Sequence, residues 1–284
     1  MVKPSVILDG KQTSQVLLAD LKQEIQVLPE QHRPKLVVVI VGEDPASQVY
    51  VKRKAKVAQE LGMHSEVRWL DATTPQVDLE REILDLNKDV SVHGILVQLP
   101  LPKHMNTLDI LSVISPEKDV DGFHPVNQGR LLSGDLPPAL PCTPAGVMHM
   151  LHAYQIPIAG QHAVVVGRSN IVGKPVGLLL LQENATVTVC HSRTQDLAAV
   201  CRQADILVAA VGIPRLIGAD HVKEGAAVID VGINRVDGKL VGDVDFEAVK
   251  EKVGYITPVP GGVGPMTIAL LMRNTLSLYK AAGQ

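Results

Sequence analysis

Strand-like and helix-like hydrophobic patterns alternate along the whole sequence. Short runs of β-branched residues, such as KLVVVIVG at 35–42 and HAVVVG at 162–167, predict strands that are buried on both faces. Segments with apolar residues every three or four positions follow them, as in VDLEREILDLNKD at 77–89. This alternation predicts an α/β protein built on parallel sheets.

A segment rich in Gly and Pro separates two series of predicted elements. This segment, 121–144, has no clear period, and it predicts an interdomain connection that begins with a turn at Asp121-Gly122. It separates a first domain at 1–120 from a second at 145–269. We predict strands at 35–42, 66–70, the start of 93–102, 162–167, 185–190, 204–212, 226–233 and 255–260. We predict helices through Tyr50 (with Ser47 as N-cap), at 77–89, 106–114 and 145–154, and after PGGVGPMT.

The helix YVKRKAKVAQELG, at 50–62, carries a lysine on its apolar face. At about 100° per residue, Lys54 falls in the middle of the apolar arc and one turn from Tyr50. The other cations, Lys52, Arg53 and Lys56, fall on the opposite arc. Two interpretations remain open from the pattern alone. Either Lys54 extends past its neighbours to water, or its buried amine carries chemistry.

Composition excludes several classes of protein. The 284 residues are enough for two domains, and the net charge of −3 with 2% aromatic residues does not suggest binding to nucleic acid. No apolar run approaches the roughly 18 residues of a membrane span, and the N-terminus lacks a signal-peptide pattern. Cys142, Cys190 and Cys201 form no CxxC motif and favour a reduced compartment. We therefore expect a soluble cytoplasmic protein without a membrane or nucleic-acid partner.

A strand, a Gly turn and a helix follow one another at HAVVVGRSNIVGKPVG. A Rossmann unit places a pyrophosphate at the amino end of such a helix. The glycines Gly167, Gly173 and Gly177 do not form GxGxxG, so an ordinary βα turn remains an alternative.

The end of the following strand indicates which dinucleotide the site would prefer. An NAD site usually has Asp or Glu there, to accept hydrogen bonds from the ribose 2′-hydroxyl. Here ATVTVC is followed by His191, Ser192, Arg193 and Thr194, without an acid. Ser192, Arg193 and Arg168 from the first turn suit a 2′-phosphate, so the pattern favours NADP.

Several motifs together resemble one family along essentially the whole chain. The sequence contains, in order, YVKRK, VQLPLP, DGFHPVNQGRL, PCTPAG, GRSNIVGKPVG and PVPGGVGPMT. It is similar to the bifunctional methylenetetrahydrofolate dehydrogenase/methenyltetrahydrofolate cyclohydrolase family. The resemblance implies an α/β fold of two domains with a cleft between them: an N-terminal folate-binding catalytic domain and a C-terminal Rossmann-like parallel-sheet NADP domain. It also implies that a helix at about 270–284 returns to the first domain, and that the protein is a homodimer.

The activity implied by the resemblance is the NADP-dependent oxidation of 5,10-methylenetetrahydrofolate, followed by hydrolysis of the methenyl product to 10-formyltetrahydrofolate. The implied catalytic residues are Tyr50, Lys54, Gln98 and Asp121, with no metal. The implied contacts to the tetrahydrofolate substrate are these four and Val51, Lys52, Arg53, Val97, Leu99, Pro260, Gly261, Gly262, Val263 and Gly264. The implied cofactor contacts are Gly167, Arg168, Ser169, Ser192 and Ile233.

The two reactions make different demands on side chains. Hydride transfer requires mainly that the methylene carbon be held in position. Hydrolysis requires a base, and Lys54 suits this role because burial and a cationic substrate both favour a neutral amine. Gln98 is expected to hold that amine, and Tyr50 to stack on the folate. Asp121 matches the adjacent amino and N–H donors of a pterin, although it could simply cap its turn.

The sequence is compared with three alternatives: a metal site, a different dehydrogenase and a module without enzyme activity. His149 and His152 have helical spacing, but no acid or thiol accompanies them to complete a metal site. An NADP-dependent dehydrogenase of another small substrate would have no use for a buried Lys54. A dinucleotide-sensing module without enzyme activity would lack a pocket lined by Tyr50, Gln98 and Asp121.

Overall fold

The structure is a computed structural model that describes residues 5–283, without the side chain of Ala46. The chain forms two compact units. The six-stranded unit contains the described residues up to Gln15 and Thr143–Thr267. The three-stranded unit contains Val16–Cys142 and the described residues from Ile268 onward. Within the described part of the chain, no helix combines the length and apolar character needed to cross a membrane.

The elements of the first half alternate as the pattern predicts from residue 35 onward. In chain order they are β1 (Val6–Ile7), α1 (Gly10–Gln26), a 3₁₀ turn (Glu30–His32), β2 (Lys35–Val41), α2 (Pro45–Leu61), β3 (His64–Leu70), α3 (Gln76–Lys88), β4 (Gly94–Val97), α4 (Thr107–Val113) and α5 (Pro125–Ser133).

The second half continues the alternation and ends in the longest helix. Its elements are α6 (Cys142–Ala153), β5 (His162–Val166), α7 (Gly173–Gln182), β6 (Thr186–Cys190), α8 (Leu197–Cys201), β7 (Ile206–Ala209), a 3₁₀ turn (Ala219–His221), β8 (Ala227–Asp230), β9 (Asn234–Val236), β10 (Lys239–Val241), α9 (Phe246–Val249), β11 (Tyr255–Ile256) and α10 (Val263–Ala281).

The three-stranded unit is built on a parallel sheet with the order β3-β2-β4. The central strand β2 is buried along almost its whole length, which explains its uninterrupted run of aliphatic residues. Its side chains pack with Ile83 and Leu86 of α3 and Ile95 of β4 in one apolar core. The carboxyl ends of β2 and β4 lie at the same edge of this sheet.

The six-stranded unit is a parallel sheet with the order β1-β11-β8-β7-β5-β6. After β5 the chain first forms β6 on one side and then β7 on the other, so the strand order reverses at β5. In open α/β sheets, ligands bind outside the carboxyl ends of the strands at such a reversal.

Three local features differ from the sequence-based expectations. The segment 121–144 contains α5, where His124 accepts a hydrogen bond from Val126 N and Gly134 ends the helix with a φ of 82°. Asp44, rather than Ser47, is the N-cap of α2, because its carboxylate accepts a hydrogen bond from Ser47 N at 2.7 Å. The antiparallel pair β9–β10 was not predicted.

At the N-terminus, the boundaries of the two units differ from the predicted domain boundaries. Residues 5–15 belong to the six-stranded unit because β1 pairs with β11 at the edge of that sheet. Helix α10 contributes its first turns to the six-stranded unit and the part from Ile268 onward to the three-stranded unit.

Candidate active site

Lys54 occupies a core position on α2. The buried residues of this helix are spaced three or four apart, at Ser47, Val51, Lys54, Ala58 and Leu61, and Lys54 is 6% exposed. Its Nζ donates a hydrogen bond to Gln98 Oε1 at 3.0 Å. Helical periodicity therefore places the Lys54 side chain on the buried face of α2.

Gln98 is held at the carboxyl end of β4. Its backbone N–H donates to Val39 O at 2.8 Å, and its side-chain Nε2 donates to Leu99 O at 2.6 Å. These two bonds fix the amide so that Oε1 faces Lys54. The next peptide bond, Leu99–Pro100, is cis.

Tyr50 lies one helical turn from Lys54. The Lys54 Nζ is 5.5 Å from the centre of its ring, within the range of a cation–π contact. The ring is half-buried, and burial raises the pKa of its hydroxyl, which is therefore neutral near pH 7. The arrangement provides an aromatic face beside the amine.

Asp121 belongs to the same electrostatic environment. Burial raises the pKa of its carboxyl group; the positive charge of Lys54 opposes this shift and the negative charge of Asp119 adds to it. The turn that carries it requires glycine next, because Gly122 has a φ of 69° and a Cβ there would lie 2.7 Å from Pro141 N. The structure thus brings Tyr50, Lys54, Gln98 and Asp121 together within the three-stranded unit.

Asp119 has a structural role. It is 1% exposed and accepts hydrogen bonds from Phe123 N, His124 N and Asn127 Nδ2. These bonds hold the start of α5 and leave Asp119 no free face for a ligand.

Two buried residues next to Asp121 were missed. Asn274 of α10 donates to Val120 O at 2.9 Å and Leu140 O at 2.7 Å, and its Nδ2 lies 3.4 Å from Cys142 Sγ. Burial raises the pKa of the Cys142 thiol well above its usual value, and the nearby Asp121 adds to this shift. Asn274 could have been found as Lys54 was, since it is a polar residue on an apolar helical face.

The remaining predicted substrate residues of the three-stranded unit are not all close to Lys54. Val51 and Val97 are buried in the core, and Leu99 is half-buried beside Gln98. Lys52 and Arg53 are exposed on the opposite face of α2. These two cations therefore lie on a different face of the helix from Lys54.

The predicted loop Pro260, Gly261, Gly262, Val263 and Gly264 lies in the six-stranded unit, where α10 begins at Val263. Gly261 has a φ of 112°, and a Cβ on Gly262 would lie 2.6 Å from Pro258 O. Gly10 of α1 packs so closely on the loop that its own Cβ would lie 1.8 Å from Gly262 O. These close approaches explain why this loop is rich in glycine.

The turn between β5 and α7 is equally compact. Gly167 has a φ of 129°, and a Cβ there would lie 2.2 Å from Ala210 O. A Cβ on Gly173 would lie 2.2 Å from Gly167 O. Ser169 Oγ accepts hydrogen bonds from the Val172 and Gly173 amides at 3.2 Å, whereas Arg168 and Ser169 themselves are exposed. A turn this close to the sheet lets a pyrophosphate approach the backbone, which fits a dinucleotide.

The turn after β6 presents polar and basic side chains to solvent. His191 Nδ1 accepts from Arg193 N at 3.1 Å, and both Ser192 and Arg193 are exposed. After β8, Ile233 is also exposed, at 58%. A 2′-phosphate suits the turn at Ser192 better than a free 2′-hydroxyl does, because no carboxylate is present at 191–194.

One of the two histidines considered as metal ligands, His152, pairs with a carboxylate. His152 Nε2 lies 2.6 Å from Glu183 Oε2, in an exposed pair at the surface. Among residues 5–283, no group of three or more His, Cys, Asp and Glu side chains is arranged to hold a metal ion.

Family models match nearly the whole chain. Residues 8–121 match the catalytic domain of tetrahydrofolate dehydrogenase/cyclohydrolase, and residues 141–283 match its NAD(P)-binding domain. The bifunctional protein FolD of Exiguobacterium sibiricum is 59% identical over 97% of this chain and 100% of the relative. FolD of Moorella thermoacetica is 58% identical over 96% of this chain and 98% of the relative.

Solved structures give the same result. The bifunctional methylenetetrahydrofolate dehydrogenase/cyclohydrolase FolD of Campylobacter jejuni superposes with a TM-score of 0.94 at 52% identity, covering 98% of this chain and 99% of that one. The Trypanosoma brucei enzyme, solved with NADP cofactor and an inhibitor, has a TM-score of 0.94 at 41% identity, covering 99% of both chains. The resemblance seen in the motifs and the predicted two-domain α/β class are thereby confirmed. This chain belongs to the tetrahydrofolate dehydrogenase/cyclohydrolase family.

Proposed function

We propose that this chain catalyses both reactions of its family, with Lys54 as the base of the hydrolytic one. The first reaction oxidises 5,10-methylenetetrahydrofolate to the 5,10-methenyl form, with NADP⁺. The second hydrolyses the methenyl form to 10-formyltetrahydrofolate. The observation that carries this proposal is the buried Lys54 amine, 3.0 Å from Gln98 Oε1 and 5.5 Å from the Tyr50 ring.

In the hydrolytic reaction, water adds to the cationic methenyl carbon and the bond from that carbon to N5 breaks. A positioned amine can take the proton that the attacking water loses. Gln98 Oε1 accepts one hydrogen of the Lys54 amine and so holds the nitrogen in a fixed position. Gln98 is itself held by Val39 and Leu99, so this orientation is maintained before substrate arrives.

In the oxidative reaction, the side chains position the substrate and the cofactor. Tyr50 offers its ring to the face of the pterin, and Asp121 accepts hydrogen bonds from the pterin amino and N–H groups. The turn at Gly167 holds the pyrophosphate, and Ser192 and Arg168 contact the 2′-phosphate. When bound, NADP⁺ supplies the hydride acceptor.

The experiment that tests the proposal compares both activities in Lys54→Met. Methionine keeps the length and apolar contacts of the lysine stem. We expect cyclohydrolase activity to fall by about 10²-fold or more, as for loss of a general base, while NADP⁺ reduction falls much less. The methenyl compound should accumulate when both products are followed by absorbance.

Lys56→Met is the matched control, because Lys56 lies on the same helix with a side chain 76% exposed. It should leave both activities unchanged. An equal loss of both activities in Lys54→Met would make Lys54 a positioning residue and not the base. If Lys54→Met loses neither activity, the amine has no part in the chemistry. If the unmodified protein does not oxidise methylenetetrahydrofolate, the proposed function itself is refuted.

The chain is also proposed to act in the cytoplasm as a homodimer. Cys142, Cys190 and Cys201 are buried free thiols, as suits a reducing compartment. The seven-residue strand β3 forms one edge of its sheet, and Trp69 on it is 48% exposed. Light scattering after size-exclusion chromatography should give about twice the 30.5 kDa chain mass, and a monomer mass would contradict the proposal.

A further inference from the structure

Two buried carboxylates lie side by side at the carboxyl ends of β7 and β8. Asp230, the last residue of β8, is 3% exposed, and Asp243 is 0% exposed. Asp230 Oδ1 accepts hydrogen bonds from Gly232 N and Asp243 N at 2.9 Å, and its Oδ2 accepts from Val244 N at 2.9 Å. The segment after β8 is thereby tied to the segment after β10.

Asp243 ties this pair to the loop that follows β7. Its Oδ2 accepts hydrogen bonds from Val211 N at 2.7 Å and Gly212 N at 3.0 Å, and its Oδ1 accepts from Asn234 Nδ2 at 2.9 Å. Among the described residues, neither carboxylate forms a salt bridge with a basic side chain. Burying charge in this way is costly unless every oxygen is satisfied. Here backbone amides satisfy three of the four oxygens, and the Asn234 side-chain amide satisfies Asp243 Oδ1.

The space around the two carboxylates excludes a side chain at Gly232 and at Gly242. A Cβ on Gly232 would lie 2.2 Å from Asp243 Oδ1, and a Cβ on Gly242 would lie 1.8 Å from Asp230 Oδ2. The two loops can therefore approach the carboxylates only because glycine occupies both positions.

The same network reaches two further segments. Asp230 N donates to Thr257 Oγ1 at 2.7 Å, just before the glycine-rich loop that starts α10. Ile233 follows Gly232, and a Cβ on Gly264 would lie 3.8 Å from Ile233 Cδ1. The two carboxylates thus join the loops after β7 and β8, and the Asp230 backbone N–H connects them to the loop after β11, all at the carboxyl edge of the six-stranded sheet.

Strand order indicates which part of the cofactor these loops meet. Ser192 follows β6 and the pyrophosphate turn follows β5, so the adenosine 2′-phosphate lies toward β6 in the proposed function. The order β8-β7-β5-β6 then leaves the loops after β7 and β8 for the nicotinamide end.

We infer that Asp243, supported by Asp230, is a positioning residue that fixes the nicotinamide-binding loops at 210–213 and 231–234. This inference rests on the proposed function, since it assumes that NADP⁺ binds at this edge. Asp243 itself touches neither reactant; it acts through the backbone amides of Val211 and Gly212 and through Asn234.

The test is Asp243→Asn, examined first without cofactor. The new amide turns a donor toward groups that are themselves donors, so at least one loop loses an acceptor. We expect amide hydrogen exchange at Val211 and Gly212 to accelerate by about tenfold or more, and the calorimetric Kd for NADP⁺ to rise by about tenfold or more. Cyclohydrolase activity on methenyltetrahydrofolate without NADP⁺ should stay within about twofold, because Lys54 and Gln98 lie in the other unit.

Asp245→Asn is the matched control, since Asp245 only caps the short helix α9. It should change neither the Kd nor the exchange at Val211. An unchanged Kd in Asp243→Asn, or a parallel loss of cyclohydrolase activity, would reduce the network to a structural role and overturn the inference.

Asn234→Ala provides a second route if Asp243→Asn does not fold, because it removes one bond to Asp243 and adds no donor. A Kd for NADP⁺ raised about threefold would support the inference, and an unchanged Kd would contradict it. A wild-type protein that binds NADP⁺ without oxidising methylenetetrahydrofolate would refute the proposed function. The positioning role of Asp243 would still be tested by the Kd for NADP⁺ and by amide exchange.

Discussion

Single polar residues inside apolar segments carry most of the information about the site. Helical spacing predicts the buried position of Lys54, because the angle of a residue on a helix is fixed by its number, whereas its chemical role was implied by the resemblance. The same spacing applied to α10 would have identified Asn274. The partners of both residues come from distant parts of the chain, 44 residues away for Gln98 and 154 for Val120, so spacing could not predict them. The role of Asp243 was not predicted, because two of its hydrogen-bond donors are the backbone amides of Val211 and Gly212. Residue types do not show which backbone amides a carboxylate contacts.

Asp230 gives the first prediction at this scale, a pH dependence of stability. Burial raises the pKa of Asp230 from 3.8 to about 6, although three backbone amides oppose the shift. The folded state therefore binds the Asp230 proton more tightly than the unfolded state does. This tighter binding stabilises the fold fully below about pH 4, and the stabilisation is lost as the pH rises through about 6. The size is about 3 kcal/mol by the conversion of 1.36 kcal/mol per pKa unit.

Denaturant unfolding of the wild type and of Asp230→Asn measures this effect. The asparagine cannot titrate, so the difference in free energy of unfolding between the two proteins should decrease from pH 4 to pH 7. Asp243 is the charged group that faces Asp230 directly, and its negative charge acts in the same direction. A difference that increases over this range would contradict the raised pKa.

Cofactor choice is the second prediction at the residue scale. Because Ser192 and Arg168 are proposed to contact the 2′-phosphate, kcat/KM should favour NADP⁺ over NAD⁺ by on the order of 10²-fold. Ser192→Asp should abolish or reverse this preference through charge repulsion. Thr186→Asp adds the same charge at the opposite end of β6, where Thr186 is exposed, and should leave the ratio unchanged. Equal use of both cofactors by the wild type would refute the assignment.

Among the elements, the strands that carry the site were the easiest to predict. β2 and β5 are buried on both faces, and this requirement produces a run of aliphatic, mostly β-branched residues that is easy to recognise in the sequence. The helix α5 was missed because its nine residues lie among Gly and Pro, and its ends depend on His124 and Gly134 and not on a hydrophobic period. β1 has two residues, and it exists because β11 is there to pair with it.

Helix α10 gives a prediction at the scale of elements. Asn274→Leu keeps a side chain on this helix face but removes the amide donor to Val120 O and Leu140 O. Val120 O then keeps the weak thiol donor Cys142 Sγ at 3.6 Å, and each carbonyl group that stays unsatisfied costs about 1–3 kcal/mol. Because Asp121 follows Val120, we also expect KM for methylenetetrahydrofolate to rise. Lys280→Met, which removes only an exposed ion pair with Glu24, should change neither quantity. Unfolding free energies and substrate titrations provide the measurement, and wild-type values in Asn274→Leu would contradict the role of this helix.

At the scale of the whole molecule, the fold leaves the chemistry undecided. The shikimate 5-dehydrogenase of Thermus thermophilus shares the fold with a TM-score of 0.51 at 18% identity. Strand order indicates where a dinucleotide binds, whereas we propose that the choice of folate chemistry depends on Lys54, Gln98 and Asp121, which belong to the other unit.

Neither unit is continuous along the chain, and this predicts how fragments behave. A fragment of residues 141–283 lacks β1, so β11 loses the strand that pairs with it at the edge of the sheet. The fragment also retains the part of α10 that belongs to the three-stranded unit, where Leu270, Leu271 and Leu276 are buried. We expect this fragment to aggregate and to bind NADP⁺ poorly, as measured by light scattering and calorimetry. The full chain is the control, and a soluble fragment with full affinity would contradict the expectation.

This interleaving also limits how such a gene can change by recombination. Residues 5–15 belong to the six-stranded unit, and the segment from Ile268 onward belongs to the three-stranded unit. A single exchange point in the coding sequence would therefore leave at least one unit with segments from two different parent proteins. A new nucleotide-binding half therefore cannot be acquired in one step without losing contacts at a terminus. Lineages that inherit this arrangement are expected to vary by substitution within both halves, and to pass the two activities on together.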